Sequence, residues 1–362
     1  MTTSTQARPA VRDAAHKRTR SAKSSVGLGL RMRRHWQLYV MLALPLIWLA
    51  IFAYWPMYGV IIAFKDYNVV SGILGSPWVG LKHFDRFVES YQFWRLIRNT
   101  VFLHVYELVA TFPLPIVLAL CLNTVRKKWF SRSAQLITYA PHFISTVVVV
   151  GLIVVLTNPS TGVANRIIGL FGLGPVDFLG DAGLFRHLYV WSGAWQTMGF
   201  AAIIYLAALT SVPPELHEAA IVDGASRLRR MWHIDLPAIV PVAVILLILN
   251  IGSILSVGFE KVLLMQNNLN LDTAEVIDTY VYKIGLASAV PQFSYATAIG
   301  LFRSVIGLVV LAVAAGIVLG TGIATGLNGV KVLVAMTSTC ALLLSAVLAA
   351  GLHRQAAGSP QA

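Results

Sequence analysis

Long apolar runs recur along this chain at residues 38–62, 100–122, 135–156, 187–209, 238–258 and 293–315. About 20 apolar residues in a helix cross the hydrocarbon core of a bilayer, so each run predicts a membrane-spanning helix. Residues 332–352 form a candidate seventh span, with Lys331 on its flank. The pattern predicts an all-α membrane protein with six core helices and this extra C-terminal run. It breaks once, between the fourth and fifth runs, at Glu215–Pro237, "ELHEAAIVDGASRLRRMWHIDLP". That island holds four acids, three arginines and two histidines between flanks almost free of charge.

The island predicts local structure of its own. Pro213 and Pro214 can open a helix, since proline is tolerated in a first turn. Leu216, Ala219, Ala220 and Val222 then form its apolar side. Asp223-Gly224 is a turn signal. Ser226 can cap a second short helix, with Arg229 and Arg230 near its end, where cations favour the helix dipole. Leu236-Pro237 begins the next span. Two short helices meeting at a glycine make a docking knob; the alternative is an amphipathic helix lying on lipid.

Composition agrees with a polytopic protein. Hydrophobic residues make up 57% of the 362, and only 12% are charged, against about 25% in soluble domains. The net charge of +13 is no nucleic-acid footprint once it is located. Residues 1–34 carry Arg8, Arg12, Lys17, Arg18, Arg20, Lys23, Arg31, Arg33 and Arg34 against Asp13 alone. Rich in Ser, Thr and Ala, this tail is expected to be disordered and cytoplasmic, near anionic membrane lipid. The first apolar run is too long for a signal peptide and lacks a small-residue cleavage site. Basic residues also cluster at Arg126–Arg132 and in the island, alternating as a cytoplasmic N-terminus requires. The loops 65–98, 157–186 and 259–292 then face outward. Trp48, Tyr54, Trp55 and Tyr58 suit the outer interface, and Pro56, Pro113 and Pro115 are expected to kink their helices. The expected divisions are a basic tail at 1–34, a transmembrane domain at 35–315 and an atypical apolar extension at 316–362.

Enzyme chemistry has little to build on. The nine histidines form no H-E-x-x-H, the spans offer no carboxylate pair, and Cys121 and Cys340 sit apart in apolar runs. No G-x-x-x-x-G-K-[ST] phosphate loop occurs; "GLNGVKV" lacks the spacing. No cofactor and no metal is expected. Glu107 and Arg303 lie at similar depth in the second and sixth runs, where they can pair for packing. They can also mark an ion path, the reading of a secondary transporter or channel for a small polar solute. For a sugar path, Trp191, Trp195, Gln196, Asn250, Ser253 and Tyr295 supply aromatic faces and hydrogen-bonding groups. Trp191 and Trp195 share a helix face. Interfacial anchoring for Trp191, and interhelical hydrogen bonds for Asn250 and Ser253, are the alternatives.

The island's register carries a family resemblance. Glu218-Ala219-Ala220, then Asp223-Gly224-Ala225, then Ile234 and Leu236-Pro237 resemble the "EAA" loop of ABC importer permeases, at every spacing of that motif. "GSPWVGLKHFDRF", "RNTV" and "GFEKVLLMQNNLNLDTAEVIDTYVYKIGL" are similar to the lipoprotein/aldouronate branch of binding-protein-dependent carbohydrate permeases, relatives of the maltose permeases. The resemblance covers residues 36–312. It implies a type-I importer fold in the cell membrane. It also implies a second permease subunit, paired as a heterodimer, with two cytoplasmic ATPase subunits that bind the ATP and an extracellular solute-binding protein. The loop at 210–237 would be the coupling element seated on the ATPase, and the solute a carbohydrate, an oligosaccharide or uronate-type sugar.

Overall fold

A computed structural model describes residues 36–125 and 127–325, with side chains as far as Gly316. The tail at 1–34, the candidate span at 332–352 and most of the extension at 316–362 lie outside the described residues. The chain divides into two units, meeting at Gly59 and Val60.

In the first unit, α1 (Trp36–Leu49) runs into a π-helical turn at Ala50–Tyr54 and a further turn at Trp55–Met57. Proline occupies the start of that last turn, where its missing N–H costs nothing. None of the α1 side chains is buried, although all but a few are apolar.

The second unit holds the bundle. α2 (Phe93–Thr111) and α3 (Pro113–Thr124) make one long span, interrupted at Phe112 where Pro113 starts a new first turn. α4 (Lys128–Tyr139) and α5 (Thr146–Leu156) follow, separated by a 3₁₀ turn at Ala140–Phe143. The run at 135–156 is therefore no straight span: the two halves bend by 97°. Pro141 lies in the 3₁₀ turn, and Ser145 starts the second half by accepting the Val148 N–H at 3.4 Å. α6 (Ala182–Leu209) is the central helix, packed on α2, α3 and α4. At its middle Gly199 has no room for a side chain, since a Cβ would lie 2.0 Å from the Thr138 carbonyl oxygen. This is the close backbone approach that small residues permit between membrane helices.

α7 (Pro214–Val222) and α8 (Arg227–Arg230) form the polar island, and a π-helical turn at Met231–Asp235 leads into α9 (Leu236–Gly252). Beyond α9, residues 259–292 form short helices packed on the bundle rather than an open loop. α10 (Phe259–Met265) and the segment behind it fold back into the core, burying Val262, Met265, Ala274 and Val276 against Leu103, Phe185 and Val190. The helical pieces here, such as Phe259–Met265, are too short to span a bilayer. α11 (Phe293–Thr325) packs on α9 and continues ten residues past the expected limit at 315. The glycine-containing stretch 320–325 is helical. Intrinsic propensity is a weak prior when the preceding turns already template the helix. Five described helices are long and apolar enough to cross a membrane, six with the bent pair counted as one.

Candidate functional site

The island folds as its residues dictate. α7 ends in a paired C-terminal motif: the Gly224 N–H donates to the Ile221 carbonyl at 3.0 Å, and the Ala225 N–H donates to the Ala220 carbonyl at 2.8 Å. That arrangement places the residue after the cap in the left-handed region, and Gly224 has φ +74°. A glycine occupies it without the strain a Cβ would bring. Ser226 then caps α8 by accepting the Arg229 N–H at 3.3 Å. Glu218, Ala219, Asp223 and Gly224 are exposed, and Ala220 and Ala225 are half-buried. On the apolar side of α7, Leu216, Ala219 and Val222 are exposed, Val222 at 87%, and Ala220 is half-buried; Ile221 and Leu228 are exposed beside them.

The loop is anchored at its root. Asp235 is only 4% exposed, and its Oδ1 lies 3.3 Å from His217 Nε2 of α7 and 3.4 Å from Asn123 Nδ2 at the end of α3. Glu218 and Arg230 share a cavity of about 440 Å³ with these three groups. Ile234 and Leu236 are half-buried above it, and Pro237 begins α9 with its ring outward. Neither His217 nor Asn123 belongs to the motif. Their signal in the sequence was only that Asp235 opens an apolar run and needs partners.

The expected solute-path residues separate in space. Asn250 and Ser253 line a second cavity of about 430 Å³, with Glu107, Thr111, Thr197 and Ser256 also on its wall. Their side chains bond back to their own helix rather than across helices: Asn250 Nδ2 donates to the Leu246 carbonyl at 2.7 Å and Ser253 Oγ to the Asn250 carbonyl at 2.8 Å. Trp191 and Trp195 are about half exposed on one face of α6, away from that wall. Gln196 Nε2 is spent on the Ile144 carbonyl at the bend between α4 and α5, at 2.9 Å. Tyr295 is 4% exposed, held in an aromatic cluster with Phe87 while Arg86 lies 4.4 Å over its ring. Its ring packs among these side chains.

The buried charges also find other partners than expected. Glu107 and Arg303 do not pair. Arg303 pairs with Asp278, which the fold-back of the segment after α9 brings alongside α11. Glu107 faces Lys261 of α10 across Gly193: a Cβ at 193 would lie 3.1 Å from the Lys261 Nζ and 3.6 Å from the Glu107 Oε1. Lys261 is 8% exposed, donates to the Tyr189 carbonyl at 2.8 Å, and sits 4.8 Å from the Tyr189 ring centroid. Lys261 went unnoticed in the sequence because residues 259–292 read as an outward loop, where a lysine needs no partner.

With this geometry in place, the chain can be set beside known proteins. It belongs to the family of binding-protein-dependent transport system inner membrane components, whose model matches residues 112–351. The match runs past residue 312, where the motif resemblance ends. The fold is that of an ABC importer permease, and the chain is a membrane permease subunit. It is 48% identical over 277 residues to the polygalacturonan/rhamnogalacturonan transport system permease protein YteP of Bacillus subtilis strain 168, covering 76% of this chain and 86% of that one. Protein LplB of the same organism is 45% identical over 280 residues, covering 77% and 87%. A crystal structure of a bacterial ABC transporter involved in the import of the acidic polysaccharide alginate superposes with a TM-score of 0.74. It has 42% identity and covers 80% of this chain and 97% of that one. A crystal structure of a bacterial alginate ABC transporter in complex with an alginate pentasaccharide-bound periplasmic protein has a TM-score of 0.72 and 42% identity, covering 79% of this chain and 95% of that one.

Proposed function

We propose that this chain forms one half of the transmembrane path for an acidic oligosaccharide and takes its driving force from a separate cytoplasmic ATPase through the loop at 210–237. The observation that carries this reading is the pair α7 and α8, joined at a positive-φ glycine and exposing Leu216, Ile221, Val222 and Leu228. An exposed apolar helix face rimmed by Glu218 and arginines suits a groove in a protein partner. The root contact of His217 and Asn123 with Asp235 would carry movement of the loop into α9 and α3. ATP binds to the partner, and this chain needs no cofactor of its own. The printed functions of YteP and the alginate transporter support an acidic sugar as solute. The alginate transporter's complex with a sugar-bound periplasmic protein also supports a solute-binding protein as partner, and a second permease supplies the other half of the path. In this reading the N-terminus is cytoplasmic and the ends of α2 and α6 that begin at Phe93 and Ala182 face outward.

Purification of the assembled transporter, followed by ATPase measurement with the loaded binding protein and a panel of oligosaccharides, tests the reading. Stimulation by uronate oligomers is expected. Co-purification of no ATPase, or stimulation by none of the sugars, would overturn it.

A further inference from the structure

Two arginines stand together at the end where α2 and α6 begin, and neither has an acid. Arg186 lies over the ring of Phe102, which follows Arg98 by one turn on α2. Among the described residues neither forms an ion pair, while the acids of the neighbouring segment are taken. Asp272 and Glu275 pair with Arg95, Glu275 also with Lys283, and Asp278 with Arg303. Asp181, close by in the chain, spends its Oδ1 on the Gly183 and Leu184 N–H groups. The Arg98 Nε is buried without a hydrogen-bond partner. Arg186 lies 4.5 Å over the ring of Phe102, and one turn further along α2 the Tyr106 hydroxyl meets His187 Nδ1 at 2.6 Å. Arg98, Phe102 and Tyr106 are spaced four apart and share one face of α2.

Two like charges brought together at a partly desolvated site repel each other, and a buried donor left unmade adds a further cost. A ligand that supplies the missing acid offsets such a cost. A carboxylate is the anion whose two oxygens match the guanidinium fork. An aromatic ring beside it offers a face to a sugar. We infer that Arg98 and Arg186, with Phe102 and Tyr106, form an outer subsite for one uronate carboxylate of an acidic oligosaccharide entering the path. The inference rests on the reading of this chain as an acidic-oligosaccharide permease and assigns that reading a selecting site.

The test uses proteoliposomes holding the whole transporter, with the loaded binding protein in excess. Uptake of a galacturonate tetramer is compared with that of its carboxyl-reduced, neutral counterpart. In Arg98→Gln/Arg186→Gln the ratio of charged to neutral uptake is expected to fall at least about tenfold, as the loss of charge-assisted hydrogen bonds implies. Affinity of the loaded binding protein for the liposomes is expected to stay unchanged. Should the glutamine variant fail to assemble, Arg98→Lys/Arg186→Lys keeps the charge and loses the fork, and an intermediate ratio is expected. An unchanged ratio, or an equal fall for both sugars, would overturn the subsite. Weakened binding-protein affinity would also overturn it, by assigning the arginines to a carboxylate of that protein. Wild-type liposomes that import neither tetramer would instead remove the acidic-oligosaccharide reading itself, and the subsite with it.

Discussion

His217 Nε2 of the exposed loop lies 3.3 Å from Asp235 Oδ1 at the base of α9, so the two ends of the polar island are tied to each other. Asn123 adds α3 to the same carboxylate. A loop hinged only at its two ends would swing under load; this one is fastened at its root. His217→Ala is expected to lower uptake per ATP hydrolysed severalfold with normal membrane levels, and His217→Gln, which keeps a donor, to recover part of the loss. Equal coupling ratios in wild type and both variants would remove His217 from the mechanism.

The Glu107–Lys261 relationship gives a stability prediction. Glu107→Gln or Lys261→Met each removes one of two opposite charges that approach Gly193, and each is expected to lower stability. The double variant is expected to be milder than the sum. A double-mutant cycle on the thermal stability of the detergent-solubilised complex reads this directly, and simple additivity would reject the pair. The same cycle on Arg303 and Asp278 is expected to show coupling, whereas Glu107 with Arg303 is expected to be additive.

Gly199 predicts a packing defect. A leucine there must displace the Thr138 backbone, which a Cβ already approaches at 2.0 Å. Overpacking of this kind costs about 1–3 kcal/mol or more. Gly199→Leu is expected to lower the melting temperature and membrane yield, while Gly199→Ala does so to a smaller degree. Wild-type stability for the leucine variant would show that α4 and α6 are not held this closely.

How much of this was legible beforehand depended on the range of the interactions. The loop was readable because its geometry is local: Gly224 supplies the positive φ, Ser226 the cap, and the motif register places both. The apolar runs located α2, α6, α9 and α11, since a helix in lipid satisfies its own backbone whatever surrounds it. The bend before Thr146 was hidden because Pro141 interrupts a run that is apolar on both sides. The packing of residues 259–292 was not legible. Their polar residues are paired internally with α2, α6 and α11, and such pairing is a tertiary fact that charge bias along the chain cannot express. Glu107 and Arg303 were recognised as buried charges, but Asp278, which pairs with Arg303, and Lys261, which faces Glu107, both come from that segment.

The central claim is that the loop at 210–237 transmits ATP-driven movement to the bundle. Its most direct measurement is the number of solute molecules imported per ATP hydrolysed by the reconstituted transporter carrying Gly224→Val or Glu218→Lys. A β-branched residue at φ +74° is strained by about 1–2 kcal/mol or more, enough to distort the turn without unfolding the spans. The account predicts normal membrane levels in both variants and a coupling ratio reduced at least about tenfold in one or both. Undiminished uptake with an unchanged ratio in both would contradict it.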